Sequence, residues 1–492
     1  MHENNQSVSY KWFALGAIVI GTFMAALDTS IVNIAIAKMM AVFNVSLDDI
    51  KWVLTAYTLT LGAIIPLTGF LEGKLGSKKL YIYSLAIFTL GSLLCGFAWS
   101  NTTMILFRII QAIGGGMIIP VSISIILQMF PSKNRGMALG VWGIATMAAP
   151  AIGPTFGGYI IERLDWRLIF IVNVPIGVIA VILSAILLKE VPHKPAKKLD
   201  YIGFISSTVG IVSILYILGK GTIDWRDIKN ILFITLGVFS LILFVINELT
   251  ISEPLLELRL LKRFDFSLSL LSLCFLAAAY MGGVYVVPLF LQNIKGYTAL
   301  QTGMILLPSA IMTGIMMLIS GKLADKISAK IIMFPGLIIL ALSSYKLSQI
   351  NLNTSVEMIT WLLILRGLGF GLTMMPITHA GMNAVPQNLV PQGSAIQNTV
   401  KQIAIAIGIN LMTTTITNKT KLNYHRLAEQ VTPLKQSTTD FLKVGLLQKQ
   451  AYTDAIDFAL SLCMVFVLIA LILTLLMKDK KHTSVSTTDK QL

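Results

Sequence analysis

One carboxylate in this chain stands apart from the others. Asp28 lies deep within the apolar stretch YKWFALGAIVIGTFMAALDTSIVNIAIA, whereas Glu248, Asp454 and Asp457 fall near the ends of theirs. An acid inside hydrocarbon is expensive to ionise, so such residues are rare and usually functional. The chemistry a single membrane carboxylate offers is the loading and release of one proton. A structural acid capped by backbone and by the hydroxyls of Thr29 and Ser30 is the plainer alternative. Arg108 and Gln111 occupy a second apolar stretch. At a helical rise of about 1.5 Å per residue, Asp28 and Gln111 lie roughly 15 Å below the outer ends of their helices, and Arg108 roughly 10 Å. Similar depth predicts an Asp28–Gln111–Arg108 cluster. The guanidinium would favour the charged acid when close and release it when distant, or would form a static ion pair fixing two helices.

Groups at such depths need membrane helices to hold them. Of 492 residues, 55% are hydrophobic and 12% charged, with a mean hydropathy of +0.79. That charged fraction is about half of the roughly 25% found in soluble domains, too little to cover a water-exposed surface. The expected fold is an all-α integral membrane protein. The net charge of +15 fits cationic loops facing an anionic leaflet and implies no nucleic-acid partner. Cys95, Cys274 and Cys463 all fall in apolar runs and read as buried thiols. Apolar runs of about 18 residues or more mark spans. Fourteen are read, at 12–37, 50–71, 80–98, 102–127, 137–160, 168–188, 200–219, 230–249, 266–291, 300–321, 331–349, 358–378, 395–416 and 455–477. The first is too long, and lacks a small-residue cleavage site, for a signal peptide. Residues 417–453 read as a polar outside loop with some helical character. With the N-terminus inside, predicted cytoplasmic segments carry 21 Lys/Arg, Lys401 among them, against 15 outside, and Arg108 and Arg366 remain within spans. This bias places both termini in the cytoplasm of a cell-membrane protein.

The chain also repeats itself at an offset of 252 to 258 residues. GFLEGKLGSKKL at 69–80 returns as GKLADKISAKII at 321–332. Arg108 of LFRIIQAIGGGMIIP returns as Arg366 of LILRGLGFGLTMMP, and PSKNRGMA at 131–138 returns loosely as PQNLVPQGSA at 386–395. Spans 1–6 and 9–14 are therefore read as two parallel six-helix halves, residues 1–190 and 259–480. Spans 7 and 8, within 191–258, are an insertion lying outside the core, and 481–492 is a cytoplasmic tail. Two halves rocking about a midplane site is the physical plan of alternating access.

Five motifs in order carry a family resemblance: LDTSIVNIAIA, WVLTAYTLT, RIIQAIGGG, the stretch from Gly140 to Gly158, and DWRLIFIVNVPIG. The chain resembles the fourteen-span drug:proton antiporters of the major facilitator superfamily, the EmrB/QacA-type multidrug exporters. The resemblance implies a major facilitator fold, a proton-coupling role for Asp28 and Arg108, and export of lipophilic small molecules in exchange for protons. Gly140, Gly153, Pro154, Gly157 and Gly158 resemble the antiporter signature, with Ala149 where Gly is usual. Small residues at this spacing let helices approach closely, and a proline bends its helix. The loop at 69–80, with Gly69, Glu72 and Gly76, resembles the superfamily's cytoplasmic gate. Gly73 stands where Asp is usual, whereas the second copy, with Gly321, keeps Asp325. The two gates are therefore expected to be unequal.

Asn33, Tyr57, Trp142, Tyr280, Tyr285, Arg366, Asn398 and Asn410 are further polar or aromatic residues placed to line a cavity, although packing is the commoner role for each. His379, near a span end, reads as structural. No phosphate-binding loop or metal-spaced Cys/His cluster appears, so neither a cofactor nor an enzyme activity is expected. The energy source is the proton gradient, and the partners are protons, the bilayer and a lipophilic substrate, with a single chain sufficing. A Gram-negative source would add a periplasmic adaptor. A dedicated exporter of a physiological lipid, fatty acid or metabolite is the second reading, and a receptor or scaffold on a decayed transporter fold the third. One interior carboxylate predicts a preference for neutral or monovalent substrates over dications.

Overall fold

The computed structural model describes residues 2–190, 199–220, 226–429 and 438–477. Among the described residues the chain forms fourteen long helices. In order these are α1 (His2–Phe43), α2 (Trp52–Leu75), α3 (Ser77–Gly96), α4 (Asn101–Met129), α5 (Arg135–Arg163), α6 (Leu168–Leu187) and α7 (Tyr201–Gly219). They continue as α8 (Ile228–Thr250), α9 (Phe264–Asn293), α10 (Ala299–Ala324), α11 (Ala329–Leu347), α12 (Val356–Asn383), α13 (Val390–Glu429) and α14 (Thr438–Leu476). Thirteen, all but α5, are long and apolar enough to cross a membrane. The expected fourteen spans are compatible with this, since α5 is itself 29 residues long and packs between α1 and α10. Helices are what a chain in lipid must form, because hydrocarbon offers no partner for a free backbone group.

Local sequence sets the ends. Ser100 and Thr103 close a capping box at the start of α4, and Thr298 and Gln301 do the same for α10. Gly76, at φ 84°, makes the sharp turn from α2 to α3. Two segments depart from the expected layout. The polar loop foreseen at 417–453 is helical over most of its described length, because no proline or glycine falls between Gly408 and Pro433. Lys401, counted above with the cytoplasmic segments, instead lies eleven residues inside α13, since that helix already begins at Val390.

Helices α1–α6 pack among themselves, as do α9–α14. The intervening pair is peripheral. Ile211 and Leu215 of α7 seat against Gly62 of α2, α8 packs on α7, and α8 exposes Leu232, Phe239 and Ile246. The two sets meet at the end that carries the α2–α3, α4–α5, α10–α11 and α12–α13 turns, called here the latch end. There Gly136 lies so near Gly321 that a Cβ on it would stand 2.0 Å from the Gly321 carbonyl oxygen, so only glycine fits. Ser394 Oγ donates to Pro120 O at 2.8 Å, and Arg135 donates to Gln387 Oε1 at 2.8 Å, both across the halves. Toward the opposite end Thr29 and Asn33 are exposed on α1. One face of α5 is buried at Trp142 and Ala145 but opens at Ile152 and Phe156. The halves close at the latch end and part toward the other.

Candidate functional site

Asp28 is fully buried, and three side chains converge on it. Arg108 Nη1 donates to Oδ2 at 2.7 Å, while Gln111 Nε2 and Asn173 Nδ2 donate to Oδ1 at 2.8 and 3.0 Å. Arg108 also donates to Gln111 Oε1 at 2.6 Å. Asp28, Gln111 and Arg108 are thus brought together, as similar depth implied. Removing a charge pair from water is costly, and the hydrogen bonds to the carboxylate offset that cost, while Arg108 Nε and Asn173 Oδ1 have no partner.

The spacing argument missed three supporting residues. Asn173 comes from the break inside α6, and both it and Gln111 donate to Ser92 Oγ of α3 at 3.1 Å. Tyr57 lies with its ring 3.8 Å from the Arg108 guanidinium carbon. It is buried there, holding the cation by its π face rather than lining a cavity. A signal for Asn173 was present, since it sits inside DWRLIFIVNVPIG. Nothing in a linear sequence marks which polar residue of a motif turns inward.

The glycines of α5 face two ways. Gly140 abuts Leu318 and Met317 of α10, across the halves, whereas Gly153 and Gly157 receive Ser30 and Ile31 of α1. Ser30 Oγ also donates to Ala149 O at 3.3 Å. The α1 turn just beyond Asp28 is therefore seated in α5, and α5 leads directly to the latch. Pro154 lies outside the described side chains, and Gly158 faces open space. A Cβ at Gly153 would lie 1.9 Å from Ser30 Oγ. Gly153→Ala should therefore cost about 1–3 kcal/mol as an overpacked contact, and Gly158→Ala close to nothing. Melting curves of the two purified variants check this. An equal drop in both would mean the seat is loose.

At the latch, Asp325 accepts from Gly136 N at 2.7 Å and from Met137 N at 2.9 Å, with His379 Nε2 3.7 Å away. These N–H groups belong to the first turn of α5, where no intrahelical acceptor exists. The carboxylate of one half thus caps a helix of the other. Gly69 makes the counterpart contact against Gln392 of α13, but with Gly73 no carboxylate accompanies it. Glu72 does not bridge the halves. Its Oε1 accepts from Ser77 Oγ and Ser124 Oγ at 2.6 Å and from Gln128 Nε2 at 3.0 Å, all within α2–α4. One residue's shift along a helix turned it to an inner face.

The cavity residues scatter. Asn33 and Tyr285 are exposed, Asn33 donating to Thr29 O. Trp142 and Asn410 point elsewhere. Trp142 Nε1 donates to Ser122 Oγ at 2.9 Å inside the first half, and Asn410 Nδ2 donates to Leu218 O of α7 at 2.6 Å. Each has a hydrogen-bond partner on a neighbouring helix. Tyr280 is buried, its ring stacked 3.6 Å from Phe370. Asn398 is buried and donates to Ser394 O. Arg366 is buried and donates to the carbonyls of Ala279 and Tyr280, repeating the place of Arg108 without an acid.

The sequence model of the Major Facilitator Superfamily matches residues 18–409. The "Uncharacterized MFS-type transporter YhcA" of Bacillus subtilis (strain 168) is 38% identical over 86% of this chain and 79% of its own. The "Multidrug export protein EmrB" of Escherichia coli (strain K12) is 29% identical over 88% of this chain and 86% of its own. Among solved structures, a double Trp mutant of XylE superposes with a TM-score of 0.64 at 13% identity, covering 96% of this chain and 97% of that one. At that identity the likeness concerns the fold alone.

Proposed function

Because the chain belongs to the Major Facilitator Superfamily, a family of transporters rather than enzymes, we propose that it exports lipophilic compounds in exchange for protons by alternating access. The observation that carries this reading is the buried Asp28–Arg108 pair, 2.7 Å long and set one residue from exposed Thr29. A proton reaching Asp28 from the open side cancels the charge that holds Arg108. The α1 turn that carries Asp28 presses on Gly153 and Gly157, so a change there is transmitted along α5 to Gly136 and Gly140 at the latch. The device is a rigid helix with a titratable group at one end and the contact between halves at the other. The name of the EmrB relative supports a drug-like cargo. The reading takes the latch end as cytoplasmic, with both termini on that side of the cell membrane, the proton gradient as the energy source and a single chain as the working unit.

The test is transport by the purified protein in proteoliposomes carrying an imposed pH gradient. A fluorescent lipophilic dye should accumulate against its own gradient, and an uncoupler should collapse the accumulation. Equal dye movement with and without the gradient would overturn proton coupling. No movement of any compound by folded protein would overturn export.

A further inference from the structure

Within the membrane-spanning interior, the charges of the two halves do not balance in the same way. In the first half Asp28 and Arg108 neutralise each other. Among the described residues the second half holds two interior cations, Arg366 and Lys401, and no partner acid for either. Arg366 donates to backbone carbonyls alone. Lys401 of α13 makes no hydrogen bond or ion pair with any described residue. The other carboxylates set in spans are engaged or distant. Glu72 belongs to the Ser77–Ser124–Gln128 cluster, Glu248 accepts from Leu256 N, and Asp454 and Asp457 line a groove beside Asn351 and Asn353, beyond the end of α11.

The position of Lys401 is the informative part. Ser394, Asn398, Lys401, Ile405 and Gly408 recur at alternating intervals of four and three, so they share one face of α13. The two ends of that face are fixed. Ser394 Oγ bonds Pro120 O of the opposite half, and Gly408 is pressed on Ala278 of α9. Lys401 therefore sits, half-buried, between the contact that closes the latch and the core of its own half. It is roughly 10 Å above Ser394 along the helix. Eleven residues from the nearer end of α13, it is too deep for its stem to carry the ammonium back to the interface in the way terminal lysines do. Val400, Ile403, Ala404 and Ile405 beside it on the helix are apolar, while Thr399 and Gln402 are polar. One turn below, Gln397 is buried at 3% exposure, and neither of its polar side-chain atoms has a partner.

An unpaired ammonium and a buried unpaired amide within a membrane span are costly unless a ligand completes them. Resting on the exporter reading above, we propose that Lys401 and Gln397 receive the anionic head of the cargo, so that the substrate class is a lipophilic monoanion. Lys401 supplies the charge and Gln397 a donor, while the apolar faces around them take the body of the molecule. This narrows the neutral-or-monovalent expectation, which was drawn from carboxylates alone and left Lys401 out of account. Exchange of one proton inward for one anion outward also moves two positive charges inward per cycle. A membrane potential, negative inside, should therefore drive transport as well as a pH gradient does.

The experiment uses three compounds with one aromatic body, a sulfonate, its neutral sulfonamide and its quaternary ammonium analogue. They are compared in vesicles of zwitterionic lipid, with wild type, Lys401→Gln and Lys401→Arg at equal reconstitution. The sulfonate should be transported at least about tenfold faster than the ammonium compound. Lys401→Gln should remove that preference while leaving sulfonamide transport within about twofold, and Lys401→Arg should retain it. In detergent the sulfonate should raise the melting temperature of wild type but not of Lys401→Gln. The unliganded Lys401→Gln protein should melt no lower than wild type, because a costly buried charge has gone. An equal loss for all three compounds, or a melting temperature lowered by Lys401→Gln without ligand, would make the lysine structural and overturn the proposal. If added phosphatidylglycerol gives the Lys401-dependent stabilisation and the sulfonate does not, the anion is membrane lipid and the cargo assignment falls. If no compound is pumped but the sulfonate still stabilises through Lys401, the exporter reading fails while the anion site stands.

Discussion

Asp28→Asn is expected to abolish efflux driven by a pH gradient. The substitution keeps the shape of the side chain and removes the group that can gain and lose a proton. It also disturbs the node. Oδ1 now serves Gln111 and Asn173, and Oδ2 serves Arg108. An amide in that place must turn its own N–H groups toward at least one donor. Arg108 is left buried with an uncompensated charge, and removing one member of such a pair costs about 3–5 kcal/mol. Lost transport could then reflect lost folding, so the single variant does not separate the two roles. Asp28→Asn combined with Arg108→Gln does. With both charges gone, the melting temperature should recover toward that of wild type, while pH-driven accumulation should stay absent. A double variant that regains coupled efflux would reduce Asp28 to a static strut. An Asp28→Asn protein that still concentrates substrate would put the proton site elsewhere.

The Asp28 node was legible in advance because its evidence is one-dimensional. A lone acid in a long apolar run, and an arginine and glutamine three apart at matching depth, can be read without knowing which helices touch. The all-helical membrane fold was legible for the same reason, since hydrocarbon thickness fixes span length. What escaped depended on rotation about a helix axis. Trp142, Tyr57 and Asn410 were plausible cavity residues by type, yet each faces a neighbour inside the protein. Asn173 escaped because α6 is broken just before it, which turns that side chain toward Ser92 and Asp28. Lys401 escaped for a different reason. It was counted with the cytoplasmic charges although it lies within the apolar run read at 395–416, and the helix is already three turns old there.

The inequality of the two gate motifs gives the other large effect. Asp325→Asn is expected to slow transport on the order of tenfold, and Glu72→Gln to leave it within about twofold, since a lost buried acceptor is worth about 1–3 kcal/mol. Asp325 offers one oxygen to Gly136 N and the other to Met137 N. Asparagine can satisfy only one of them and presents a donor to the other. These bonds cross between the halves, so they exist only while the latch end is closed, and their loss falls on the balance between the two arrangements of the transporter. The bonds of Glu72 to Ser77, Ser124 and Gln128 stay within one half and survive any rocking of that half as a body. Glu72→Gln therefore acts on folding stability and is read in the melting temperature. Asp325→Asn acts on conformation and is read in access to the latch. A cysteine placed at Leu318, against Gly140, should react faster with a membrane-impermeant maleimide added from the latch side in Asp325→Asn than in wild type or Glu72→Gln. Equal transport losses at equal expression, with equal labelling, would show that the carboxylate across the halves carries no more of the gate than the one buried beside it.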